Sequence, residues 1–371
     1  MRKFLPKFMA LMAAAAISAA AQTLAPGGPG KDAQWATAGK QGIGTSATLE
    51  SKVWFTLAQG VMTEVYYPDV TTANVQMLQF IVVNPKTKKV ETEQDDTDQE
   101  IQSLSIRRDE KLFKLPSVTS VAEVRLSEIY NGLSFPNSLA FKQVNRSKTD
   151  GWSITKTYIT DPNSNSVLIT VTFRTRDPDN ELYVYYDPSL GNSGLHDTGW
   201  NQGRYFVSVD GQAASALTCG RCDISDATNG FFGVNDGLTQ LRQSGKIGQT
   251  LARAENGNLV QVAKITPVSL NKHQNPEMIF ALGFGSSPEA ALSSATSTLA
   301  KGFAKNYQEY QVGWLDYLKS LPKVDLKYQA QFNMAAMQLK ALEDKTHLGA
   351  NIASLTVPWG GGANAIEYRV G

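Results

Sequence analysis

Cysteine and histidine are nearly missing from this chain: of 371 residues, two are Cys and three are His. A protein-held zinc ion needs about four such ligands close together. His196, His273 and His347 are scattered, so no metal site is expected from them. Net charge is missing too, at a formal +1, with no clustered Lys or Arg. That excludes a nucleic-acid or anionic-membrane surface, which needs such clusters. Beyond the first twenty-odd residues no apolar run approaches the ~20 residues a membrane span requires. Gly-x-Ser-x-Gly, phosphate-loop and His-Glu-x-x-His patterns are all absent, so those hydrolase and nucleotide chemistries gain no support.

What the chain does carry begins at its start. Arg2, Lys3 and Lys7 precede an apolar stretch from Phe8 to Ile17 and an Ala-x-Ala exit at residues 19–21. A basic start, a short apolar core and small residues at the exit are the three parts of a secretory signal peptide. Cleavage after Ala21 and export to the periplasm or medium are expected, with an uncleaved anchor as the alternative. Those residues hold three positive charges and no acid, so removing them turns +1 into −2. The only cysteines, Cys219 and Cys222 in TCGRC, are then expected to form a short-loop disulfide in an oxidising compartment. A redox-active pair would want a helix N-terminus in a βαβ setting, and this pair lies in a turn between β-like runs. Residues 22–31 (QTLAPGGPGK) read as a Pro/Gly linker with nothing to bury.

From residue 32 to 285 the rhythm is period two. Ile154–Thr160 and Val167–Phe173 alternate around Asp161-Pro162-Asn163-Ser164-Asn165, which predicts a β-hairpin. Further strands are predicted at 63–67, 77–83, 182–186, 204–209, 260–265 and 278–284, all rich in Val, Ile, Thr, Tyr and Phe. No helical period competes before residue 286. Many antiparallel strands without a βαβ rhythm predict a large two-sheet sandwich. The pattern changes at Ser286-Ser287-Pro288-Glu289, a Ser-x-x-Glu capping box with proline in the first turn. A helix follows to Pro322, with a bend near Gly302 and one stripe of Leu292, Leu299, Phe303, Tyr307, Tyr310, Trp314 and Tyr317. A second helix is predicted from Lys327 to Asp344, with Tyr328, Phe332, Ala335, Leu339 and Leu342 on one face.

Three segments resemble one family: GVMTEVYYPDVTTANVQMLQFIVVN (60–84), WSITKTYITDPNSNSVLITVTF (152–173) and YYDPSLGNSGLHDTGW (185–200). Together with PEAALSSATSTLAKGFAKNYQEYQVGWLDYL and LEDKTHLGANIASLTVPWGGG, they resemble the N-terminal domain, linker helix and first barrel helix of bacterial glucodextranases and glucoamylases, glycoside hydrolase family 15. The resemblance implies a galactose-mutarotase-like super-sandwich over 32–285, a linker helix over 286–322 and the start of an (α/α)6 barrel over 323–371. It also implies removal of glucose from the non-reducing ends of α-glucans (starch, maltodextrin or dextran) with inversion, without a cofactor. Trp359, in PWG, would border the glucose pocket. The family's aromatic-Trp-x-Arg-Asp motif is expected soon after, yet residues 364–371 read NAIEYRVG. The expectation is a barrel that only begins here, without hydrolytic activity.

Inversion needs two carboxyl groups roughly 6.5–9.5 Å apart, one protonated and one ionised. Glu343, Asp344 and Glu367 are the available acids in the barrel-like part, and none has an evident partner, so no catalytic residue is assigned. The run Glu91, Glu93, Asp95, Asp96, Asp98 and Glu100 reads as a solvated hairpin loop, with calcium the alternative. In the loop 191–200, Trp200 and Asp197 make a chemically sensible sugar-binding pair, an aromatic face beside a carboxylate. A structural turn capping two strands is the competing reading.

Overall fold

A computed structural model describes residues 23–104, 136–268 and 276–356; the segment expected to be a signal peptide, Trp359 and Glu367 lie outside the described residues. Two antiparallel sheets dominate. The first has eight strands: β1 (Gly42–Gly44), β2 (Trp54–Ala58), β3 (Val61–Tyr66), β4 (Ala73–Asn84), β5 (Lys89–Thr92), β10 (Glu181–Pro188), β14 (Cys222–Phe231) and β16 (Leu259–Pro267). Its order is β1-β2-β3-β4-β10-β16-β14, with β5 paired to the far half of β4. The second has nine: β6 (Thr97–Ser103), β7 (Phe141–Ser147), β8 (Ser153–Thr160), β9 (Ser166–Arg174), β11 (Asp197–Gln202), β12 (Tyr205–Asp210), β13 (Ala213–Gly220), β15 (Arg253–Gly257) and β17 (Glu277–Gly285). They run β15-β11-β12-β13-β17-β9-β8-β7-β6.

The inward faces meet through aromatic contacts. Phe80 of β4 and Phe280 of β17 pack edge-on at 5.1 Å, and Phe55 of β2 lies 5.9 Å from Tyr158 of β8. The predicted hairpin forms in the register its turn dictates: Thr160 opposes Val167, and the Asp161 amide donates to the Ser166 carbonyl at 2.9 Å. This is the expected sandwich. Cys219 is the penultimate residue of β13 and Cys222 opens β14, so their disulfide sits where the chain passes from one sheet to the other.

The helical part differs from expectation in detail. One long bent helix is in fact two, α3 (Pro288–Lys301) and α4 (Phe303–Ser320), divided at Gly302, whose φ of 81° and ψ of 156° cannot continue a helix. The N-cap of α3 is Ser287, which accepts from the Ala290 amide at 3.3 Å, one residue beyond the expected capping box. Along α4 the stripe is as read: Tyr310 and Trp314 are fully buried, and their polar tips donate to the Leu139 and Thr45 carbonyls at 2.9 and 3.0 Å. The last helix, α5 (Gln329–Ala341), turns Asn333, Met337 and Ala341 inward, whereas Leu339 and Tyr328 of the predicted face are exposed.

Two helices precede residue 286 where none was expected: α1 (Glu93–Asp96) and α2 (Gly237–Ser244). Helix α2 has local signals that period-two reading overlooks. Asp236 caps its first turn through the Thr239 amide, and Gly245 ends it in the left-handed conformation (φ 72°). The described part of the expected linker is not free either. The Ala25 amide donates to the Arg253 carbonyl at 2.8 Å, the Lys31 amide to Phe232 at 3.0 Å, and Ala25 packs on Phe231, Ala254 and Leu259. Gly30 (φ 89°) allows the close approach, since a Cβ there would lie 3.1 Å from that of Phe231.

Candidate functional site

The loop between β10 and β11 is built from left-handed turns at Gly191, Asn192 and Gly194. Asn192 stitches it to the β3–β4 turn, accepting from the Ala73 amide at 2.6 Å and donating to the Thr71 carbonyl at 3.1 Å. Asp197 opens β11 with no exposed surface, and its carboxylate accepts from the Leu190 amide at 3.2 Å. Burial first, and nearby Asp210 second, push that carboxyl well above the usual carboxylate range. Trp200 follows three residues later, so strand alternation turns it to the opposite face. Its half-buried ring carries the Arg253 guanidinium at 4.9 Å. The two residues singled out as a sugar-binding pair are therefore not brought together: one caps a turn, the other supports an arginine.

The acidic run is only partly a solvated loop. Asp95, Asp98 and Glu100 are exposed, but Glu91 and Glu93 are buried. Glu91 accepts from the Trp152 indole at 2.6 Å and from the Thr149 hydroxyl at 2.7 Å. Glu93 meets the Lys156 ammonium at 2.5 Å and accepts from the Phe80 amide at 2.8 Å, while Lys156 also donates to the Gly60 carbonyl. The reason is placement: Lys156 shares the inward face of β8 with Ile154 and Tyr158, so its charge must find a partner inside. Among the described residues no group of three or more His, Cys, Asp or Glu is placed to hold a metal.

The helical acids are spoken for. Glu343 accepts from the Lys340 ammonium and from the Gly349 amide at 3.0 Å, contacts that hold its carboxyl below the usual range. Burial pushes Asp344 upward, but three amides (His347 at 2.6 Å, Thr346 at 2.7 Å and Val70 at 3.3 Å) outweigh it and leave that carboxyl lowered. Both stay ionised near neutrality.

A cleft of about 540 Å³ opens over the outer face of the eight-stranded sheet. Its floor is a two-by-two patch: Gln79 of β4 lies opposite Tyr185 of β10, and Met77 opposite Asp187. Its walls are the strap at residues 34–38, α1 with Asp95, and α2 with Leu238 and Arg242. Beside it, again on the outer side, the Lys40 ammonium pairs with buried Glu64 at 2.5 Å, and Thr56 donates to the same carboxylate.

The polar groups of this floor are buried and incompletely bonded. Asp187 accepts from the Tyr185 hydroxyl at 3.1 Å through one oxygen. Burial, reinforced by Asp236, pushes its carboxyl well above the usual range against that hydrogen bond. The Gln79 amide nitrogen reaches only the Met77 sulfur, 3.1 Å away, which is a weak acceptor. Asp187 Oδ1, Gln79 Oε1 and Trp35 Nε1 are buried without a hydrogen-bond partner among the described residues. Sequence reading passed over all three: MLQFIVV registers simply as a strand, Asp187 falls just past the predicted strand 182–186, and Trp35 stands in a stretch without a pattern of its own. The available signal is polar residues inside runs apolar on both faces, since such a strand has no water to satisfy them.

Comparison with known proteins places these features in a lineage. The profile of "Glucodextranase, domain N" matches residues 25–319. A glucoamylase of Clostridium sp. (strain G0005) is 31% identical over 342 residues, covering 90% of this chain and 43% of that protein. The crystal structure of a bacterial glucoamylase complexed with acarbose superposes with a TM-score of 0.78 at 30% identity, covering 92% of this chain and 46% of the other. The chain thus spans a little under half the length of these relatives.

Proposed function

The chain belongs to the glucodextranase and glucoamylase family, glycoside hydrolase family 15, and from that membership we propose that it serves an exported exo-acting α-glucan hydrolase, as the sandwich and first helices of the enzyme. The reaction in the intact enzyme is inverting release of glucose from the non-reducing ends of starch, maltodextrin or dextran. The observation that carries this reading is the superposition on a glucoamylase that holds acarbose, which extends over nearly the whole chain.

The sandwich would act as a mount. Tyr310 and Trp314 anchor α4 to it through both apolar packing and hydrogen bonds, and such doubly held aromatics fix a helix in both position and rotation. Helix α5 contacts α4 through the Tyr317 hydroxyl, which donates to the Ala336 carbonyl at 3.2 Å. Elements of a sugar pocket built on α5 would inherit that fixed frame. Trp359 is proposed to border this pocket.

Residues 1–371 by themselves are proposed to release no glucose. Inversion requires two carboxyl groups opposed across the sugar, one protonated and one ionised. The acids of the barrel-like part, Glu343 and Asp344, are each engaged by their own donors, Lys340 and Gly349 for one and the His347, Thr346 and Val70 amides for the other. Export is consistent with the disulfide at the sheet junction, because such bonds persist in oxidising compartments. An enzyme-coupled glucose assay on maltose, soluble starch and dextran tests the activity claim, with no signal above buffer expected from the purified polypeptide. Sustained glucose release would overturn it. N-terminal sequencing of the exported product should begin at Gln22.

A further inference from the structure

We propose that the cleft over β4 and β10 is a binding site for a neutral polyhydroxylated ligand, a short sugar chain, held on the outer face of the eight-stranded sheet. The first argument is what the cleft leaves unpaired. Two acceptors, Asp187 Oδ1 and Gln79 Oε1, and one donor, Trp35 Nε1, belong to lining residues and have no partner among the described residues. Leaving such groups unbonded costs on the order of 1–3 kcal/mol each, and since the three atoms are themselves sealed just behind the cleft surface, a ligand meets them by a turn of their side chains. A sugar offers hydroxyls that both donate and accept, which answers a mixed set of this kind.

The second argument is charge. Asp95 and Arg242 face each other across the rim at 3.9 Å and balance, so the opening favours neither an anion nor a cation. The third is shape: about 540 Å³ lies within the usual range of roughly 300–1,000 Å³ for small-ligand sites, with the Tyr185 ring in the floor. The fourth is the freedom of Gln79. Its amide donates only to the Met77 thioether, so it can turn toward a ligand hydroxyl at little loss. The ligand's polyol character comes from the cleft itself, and only the choice of glucose as the sugar rests on the function proposed above.

The test titrates the 371-residue polypeptide calorimetrically with maltotriose and isomaltotriose, with xylotriose as a sugar of another kind and inorganic phosphate as an anionic probe. Saturable binding of a glucose oligomer, with no phosphate binding, is expected. Gln79→Met removes the amide at nearly constant volume, whereas Trp35→Phe removes the indole N–H together with part of a buried ring, and each should weaken binding about tenfold, the loss of roughly one hydrogen bond. Their thermal midpoints report folding, and Leu339→Ala, on the exposed side of α5, serves as a control expected to leave binding unchanged. Binding of xylotriose alone would keep the site and sink the α-glucan reading. Silence from all three sugars at ~10 mM would overturn the site, leaving it a water-filled cleft. Sugar binding that neither cleft variant weakens would also overturn it, because the ligand would then sit elsewhere.

Discussion

Helix α3 lies directly on β17, where Gly283 and Gly285 face Ala290, Ala291 and Ala295; a Cβ on Gly283 would come within 2.4 Å of the Ala295 nitrogen. That outer face of the nine-stranded sheet is closed backbone against backbone, with small residues on both sides. Over β4 and β10 the cover is a strap, a one-turn helix and the short α2, and what they enclose is polar: Gln79, Asp187 and, alongside, the Lys40–Glu64 pair. Both faces belong to sheets packed on the same core, so burial alone does not explain the difference. Close packing of small residues, with the one buried carboxylate at its edge, Asp161, fully engaged by Thr298 and Lys301 of α3, is a way to fix a helix permanently. An interface that leaves hydrogen-bonding groups unspent is costly to keep and is retained where something occupies it.

Substitutions should separate the two faces. The largest effect is expected on the polar one: Lys40→Met strands the Glu64 carboxylate without its partner and should cost about 3–5 kcal/mol by urea denaturation. Replacing both members, Lys40→Met with Glu64→Met, should recover much of that loss, because no lone charge is left behind. If the double variant is as unstable as the single, the polar face is not governed by charge compensation. On the dry face, Gly283→Leu must push α3 away, since the obstructing atoms are main chain; about 1–3 kcal/mol is expected, with new protease cleavage within residues 286–301. An unchanged cleavage pattern would show that the α3 contact is looser than drawn.

The smallest effect is a pH dependence confined to the polar face. Burial raises the Asp187 carboxyl above its unfolded value, so the folded state holds its proton where the unfolded chain has released it. The stability this group contributes is complete below the unfolded value, near 4, and declines as pH rises through the raised folded value. Asp187→Asn cannot ionise, so its thermal midpoint relative to the parent should increase between pH 4 and pH 8. A constant offset across that window would mean that the carboxyl is not raised.

Much of this molecule is legible without coordinates. The alternation at 154–160 and 167–173 around Asp-Pro-Asn fixes a hairpin because strand period and turn chemistry are both local. Gly302 is legible as an interruption but only as a bend in one helix; the division into two follows from a backbone conformation (φ 81°, ψ 156°) that a helix cannot hold. The stripe through Tyr310 and Trp314 predicts what α4 buries, since aromatics at helical spacing have few other uses. Legibility fails where a polar residue is involved. Lys156 falls on the same strand face as Ile154 and Tyr158, yet nothing local shows that its charge finds a partner inside; Glu91 and Glu93 read as loop acids and are buried. Asp197 and Trp200 look like partners and occupy opposite faces. On α5 the predicted face, with Tyr328 and Leu339, is not the one buried: apolar residues surround the helix, and packing against α4 and β1 selects Met337 and Ala341.

The chain's own order of residues therefore settled the class of fold, eight of the seventeen described strands and the change to helix after residue 286, all of which depend on neighbours within a few positions. Only the folded arrangement decided which polar side chains lie in water and which between layers. That outcome depends on elements distant in sequence: residue 40 meeting 64, residue 93 meeting 156, and residues 35, 79 and 187 gathering at one cleft. A charge buried with a partner and a charge exposed to solvent require the same local sequence, and the free energy that distinguishes them arises from the low-dielectric surroundings that assembly creates.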